Sequence, residues 1–110
     1  MLGPVLGPSD NKERVLIYIL SKGQGYAREL ARFFDVDLRG IQNQLENLEA
    51  GGVLVSQSVG RTRPYSFNPR YPFLDELKAL LEKALQFYPE QTRQELLLDR
   101  RRPRRKGKPL

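Results

Sequence analysis

The sequence has no cysteine, no histidine and no tryptophan. Without cysteine there are no disulfides, thiolate metal ligands or thiol redox chemistry. Lacking histidine as well, the chain has no residues for structural zinc, imidazole base catalysis, or Ser-His and Cys-His nucleophiles. It also lacks a run of about 18 apolar residues that would cross a bilayer. Its start, Met1-Leu2-Gly3-Pro4-Val5, has neither the basic opening nor the apolar stretch of a signal peptide. The expectation is a cytoplasmic protein with no membrane span, no metal and no cofactor. Enzymatic activity is not expected: Glu29, Asp35 and Asp37 are the nearest approach to a carboxylate cluster, and acids beside a helix turn commonly serve as caps and solvated faces.

At 110 residues and 39% apolar content, the chain suits one small domain with a single core. The formal net charge of +6 is unevenly placed. Seven of the 19 basic residues lie in Arg100–Leu110, where there is no acid, which leaves 12 bases against 13 acids in residues 1–99. The high isoelectric point therefore reports the tail. Nucleic-acid binding by the rest must be argued from where its few charges sit.

Residues 1–9, with two Gly-Pro steps and no periodicity, read as a flexible arm. A first helix follows, with Asp10 as N-cap, Glu13 placed to complete a capping box, and Val15, Leu16, Ile19 and Leu20 on a buried face. Gly23 is its expected left-handed stop. A second helix, Tyr26 to Phe34, turns Leu30 and Phe33 inward and Arg28, Glu29 and Arg32 outward. After the turn Asp35-Val36-Asp37, a third helix buries Leu38, Ile41, Leu45 and Leu48 and carries Arg39, Gly40, Gln42, Asn43, Glu46 and Asn47 on its other side. Ala50-Gly51-Gly52 closes it. Two strands, Val53–Gln57 and Pro64–Phe67, then flank a tip bearing Arg61, Thr62 and Arg63.

Helix, tight turn, helix and arginine-tipped hairpin is the order of a winged helix-turn-helix, in which the later helix enters a major groove and the β-ribbon reaches flanking backbone or minor groove. The expected fold is mainly α with a small β-hairpin wing and additional C-terminal helices. The residue types suit base reading. Arg pairs bidentately with guanine, and Gln or Asn with adenine, each good pair discriminating by about 1–3 kcal/mol. Guanidinium groups at a ribbon tip suit phosphates or a narrow minor groove.

Three segments carry a resemblance to a known family: Tyr26-Ala27-Arg28-Glu29-Leu30-Ala31-Arg32, Leu45-Glu46-Asn47-Leu48-Glu49-Ala50-Gly51-Gly52-Val53-Leu54, and Gly60-Arg61-Thr62-Arg63-Pro64-Tyr65-Ser66-Phe67-Asn68-Pro69. Together they resemble the small prokaryotic winged-helix regulators grouped as ArsR-like, over roughly residues 10 to 88. The resemblance implies a homodimeric transcription regulator, a repressor in the usual case, bound to double-stranded DNA. Its groove-facing positions fall on Asp37, Arg39, Gly40, Gln42, Asn43 and Gln44, and its wing contacts on the Arg61-Thr62-Arg63 tip. The chain departs from the family pattern at Asp37, Gly40 and Asn43, where Ser, Thr and Arg are usual. It has none of the Cys or His ligands of metal-sensing members, so metal sensing is not carried over.

The expected organisation is an arm (1–9), a winged helix-turn-helix domain (10–69), a helical dimerisation region (70–99) and a basic tail (100–110). The helix beginning near Pro72 is apolar around more than one stripe. Phe73, Leu77, Leu81, Leu85 and Tyr88 are its expected interface in a homodimer; cover by the first and last helices within one chain is the other reading. The tail, with Arg100, Arg101, Arg102, Arg104, Arg105, Lys106 and Lys108, suits an accessory, salt-sensitive DNA contact or a solubilising extension. An alternative function is a winged-helix module for protein assembly, because Tyr26 to Ala50 holds three bases against five acids.

Overall fold

The computed structural model describes residues 2–7 and 10–101, with side chains described as far as Leu97. In chain order the elements are α1 (Gly3–Leu6), α2 (Asp10–Lys22), α3 (Ala27–Phe34), α4 (Leu38–Ala50), β1 (Leu54–Ser56), β2 (Tyr65–Phe67), α5 (Leu74–Leu85) and α6 (Glu90–Arg101). The architecture is a winged helix-turn-helix with additional C-terminal helices, and α4 is the third helix anticipated above.

Five consecutive residues of α2, Val15, Leu16, Ile17, Tyr18 and Ile19, are buried. Burial on every side rather than along one stripe means that the helix is enclosed. It contacts α1, α3, α4, α5, α6 and β2. Around it Leu30, Ile41, Leu45, Leu54, Leu81 and Leu96 complete a single core. Tyr18 meets Phe33 and Phe34 edge to face, at centroid distances of 5.3 and 6.3 Å.

Two expectations at the N-terminal end are corrected. The stretch read as a flexible arm contains the helical turn α1, because Leu2 and Leu6 pack against the core. Glu13, expected to complete a capping box, has a long-range role instead. Its carboxylate is buried and accepts the Leu2 amide at 2.6 Å and the Tyr88 hydroxyl. A buried acid keeps its charge only with such donors, and these come from both ends of the chain.

Helix α4 ends through Gly52, whose φ of 82° lies in the left-handed region; Val53 then donates back to the Leu48 carbonyl at 2.9 Å. The strands are shorter than anticipated and pair antiparallel, with Leu54 opposite Phe67 and Ser56 opposite Tyr65. Gly25 extends the ribbon: its amide donates to the Tyr65 carbonyl at 3.0 Å and its carbonyl accepts the Tyr65 amide at 2.8 Å. The hairpin tip is a two-residue turn, Gly60-Arg61, closed by reciprocal Val59 and Thr62 bonds of 2.8 and 3.0 Å.

The apolar surplus of α5 is covered largely within the chain. Leu81, expected between copies, is completely buried in the chain's own core together with Leu96 of α6. Leu77, Leu85 and Tyr88 are half-buried at the core margin. Phe73, the fifth residue of that expected interface, is 62% exposed and packs edge to face with Tyr71.

Candidate nucleic-acid interface

Helix α4 does not place all of the expected groove-facing residues on one surface. Arg39, Gln42 and Asn43 are exposed, as are Asp37 at the helix start and Glu46 and Asn47 one turn later. Gly40 and Gln44 occupy another side, set by their four-residue spacing. A Cβ on Gly40 would come within 2.6 Å of the Asn11 Nδ2 atom of α2. Gln44 is half-buried, and its Oε1 atom has no hydrogen-bond partner among the described residues. Gly40 thus leaves room for the end of the Asn11 side chain of α2, so this side of α4 faces the chain's own first long helix.

An open groove of about 600 Å³ lies between α3, α4 and the wing. Gln42 and Glu46 line it from α4, Arg28, Glu29 and Arg32 from α3 with Tyr26 just before it, and Arg61, Thr62, Arg63 and Tyr65 from the wing. The structure therefore brings Gln42 together with the whole tip, while Arg39 and Asn43 stand outside the groove on the exposed side of α4. Thr62 is partly committed to the turn, because its hydroxyl donates to the Val59 carbonyl at 2.8 Å. Tyr65, buried at the base of the wing, has its hydroxyl pKa raised by burial first and by the Glu49 charge second, with a hydrogen bond to Arg63 acting in the opposite sense. Arg61 occupies the apex of the wing, and Arg63 lies two residues before Tyr65 on the returning side.

Tyr26, Arg28, Arg32 and Glu46 were not singled out as contact residues from sequence. For the two arginines a signal existed: four-residue spacing on the outward side of a short helix. What the sequence lacked was the wing's position beside that side. Of the basic tail, Arg100 and Arg101 close α6 in backbone only. Arg102, Arg104, Arg105, Lys106 and Lys108 lie outside the described residues. Among the described residues no group of three or more acids is arranged to hold a metal ion. None of the described helices is long and apolar enough to cross a membrane.

No protein-family model and no curated protein matches the chain. Solved structures do. The chain is similar to a mutant of Lactococcus lactis ZitR in apo form, with a TM-score of 0.53 and 14% identity over 80% of this chain and 74% of that one. A second structure of the same mutant gives a TM-score of 0.53 at 11% identity, over 86% and 71% of the two chains. AdcR of Streptococcus pyogenes, the adhesin competence repressor, gives 0.50 at 13% identity, over 86% and 79%. The class is thereby fixed at the level of fold: a winged helix-turn-helix of the kind found in AdcR, a repressor by name. At these identities the likeness carries the fold alone and leaves ArsR-like membership as a resemblance.

Proposed function

We propose that the chain is a cytoplasmic, sequence-specific DNA-binding transcription regulator, a repressor in the manner its AdcR neighbour's name states, and not an enzyme. The observation that carries this reading is the shared groove: Gln42 of α4 opens onto the same space as Arg61 and Arg63 of the wing. A helix lying in the major groove would offer Arg39, Gln42 and Asn43 to base edges, while the wing arginines bond phosphates or enter the minor groove. Binding as a homodimer accompanies the proposal, since paired recognition helices about 34 Å apart read successive major-groove faces. With Leu81 inside the core, such pairing draws on Phe73 and the margin residues Leu77 and Leu85.

Selection of duplexes from a random pool, followed by titration of the enriched site, tests the function. The expected result is an enriched sequence whose preference is eroded by Gln42→Ala and Arg39→Ala. Binding that ignores sequence in the parent protein rejects it in favour of the protein-assembly alternative, and preference untouched by both substitutions rejects Arg39 and Gln42 as base readers. Sedimentation of the free protein and of Phe73→Asp tests the pairing, which predicts a two-chain species weakened by the substitution.

A further inference from the structure

The segment from Tyr26 to Ala50 carries three bases and five acids, a balance that argues against DNA when read linearly. Folding sorts those charges. Of the five acids only Glu29 and Glu46 line the groove. Asp35 closes α3 in a left-handed conformation and Asp37 stands at the start of α4. Glu49 accepts the Ser56 hydroxyl at 2.6 Å. Arg28 and Arg32 both line the groove, and the wing adds Arg61 and Arg63, so four guanidinium groups meet two carboxylates there. One of those carboxylates is already engaged, because Glu29 Oε1 accepts the Tyr26 amide at 3.3 Å. Among the described residues Arg28, Arg32 and Arg61 are not ion-paired with an acid.

We propose that Arg28 and Arg32 of α3 form a phosphodiester-binding site, gripping the DNA strand that passes between α4 and the wing. The inference rests on the DNA-binding reading and adds to it a contact outside both the recognition helix and the wing. Two arginines one turn apart on a helix present their planar forks in the same direction, and a guanidinium bonds a phosphate through two parallel N–H donors. The groove opens to solvent and holds about 600 Å³. Glu46 places its carboxylate on the α4 side of the groove, whereas on the α3 side the two arginines outnumber Glu29. These two arginines therefore supply affinity and register, and base choice remains with Arg39, Gln42 and Asn43.

The test uses the full chain on its selected duplex, titrated over a range of salt. Each lost phosphate contact lowers the slope of log affinity against log salt by about 0.9. Arg28→Ala and Arg32→Ala are expected to reduce the slope by that amount each, and the double variant by about twice as much, with the order of preferred sequences unchanged. The Arg28→Lys, Arg32→Lys pair should keep the slope and bind more weakly, since the charge stays and the fork is lost. Phosphate-ethylation interference supplies a second readout: the Ala variants should lose interference at one run of phosphates. An unchanged slope, or an interference pattern identical to that of the parent, overturns this site while leaving the regulator reading intact. Absence of any sequence preference in the parent protein defeats both.

Discussion

The Tyr88 hydroxyl donates to the buried Glu13 carboxylate across 75 positions of sequence, joining the α5–α6 corner to the first turn of α2. The Leu2 amide bonds the other oxygen of the same carboxylate. One acid therefore ties α1, α2 and the C-terminal helices together. Tyr88→Phe keeps the ring and removes the donor, and is expected to cost about 1.5–3 kcal/mol, the range for a bond to a charged partner, in urea unfolding.

The same residue pair sets an acid limit on stability. Burial by itself would raise the Glu13 pKa, but it is outweighed by lowering influences that include the bonds from Tyr88 and Leu2, and the carboxyl lies below its ordinary 4.5. A lowered folded-state pKa contributes stability that is complete above 4.5 and is lost as pH falls through the folded value. Unfolding midpoints of the parent and of Glu13→Gln should therefore differ most near neutrality and converge below that pH. A constant gap would mean that the charge of Glu13 contributes nothing. Tyr88, raised by burial first and Glu13 second, stays protonated throughout this range.

Leu81 gives a direct measure of the core. Its side chain is completely buried, so Leu81→Ala leaves a cavity and is expected to cost about 2–5 kcal/mol. The loss should appear in chemical unfolding at any protein concentration. A destabilisation that vanished on concentrating the protein would point instead to an interface between chains.

Gly25 is sensitive for a different reason. A Cβ there would stand 3.1 Å from Leu30 Cδ1 and 3.1 Å from Tyr18 Cδ1, and both side chains are fixed in the core. Gly25→Ala is expected to cost about 1–3 kcal/mol through overpacking. It should also speed hydrogen exchange of the Tyr65 amide, which donates to the Gly25 carbonyl. Unaltered exchange at Tyr65 would count against the coupling of the two segments.

Removing residues 102–110 deletes five bases and no acid. Affinity for any duplex should fall and depend less steeply on salt, because fewer counterions are released on binding. Sequence preference should remain, as the proposed function assigns it to α4. Preference lost with the tail would assign base reading to the wrong part of the chain.

The fold was largely readable from the sequence, since the spacing of Leu38, Ile41, Leu45 and Leu48, the turn at Asp35 and the two short strands are local signals. Glu13 was misread because an acid three residues after Asp10 has the same spacing whether it caps a helix or is buried by a tyrosine 75 positions away. The run Val15 to Ile19 was read as a stripe, although five consecutive apolar residues already imply enclosure from every side. The candidate site was half legible. Exposure of Arg39, Gln42 and Asn43 follows from helical periodicity. The turning of Gly40 and Gln44 away from that surface depends on where α2 lies, and the gathering of Arg28 and Arg32 with the wing depends on tertiary placement; no local pattern encodes either.

The paired amide bonds between Gly25 and Tyr65 rivet the inner strand of the ribbon to the residue two places before α3 begins. The base of the ribbon is therefore anchored beside the start of α3, independently of the Gly60-Arg61 apex. In the proposed complex a phosphate strand would meet jaws already hinged at that rivet, with the fingertip at Arg61 left to adjust to the local shape of the duplex.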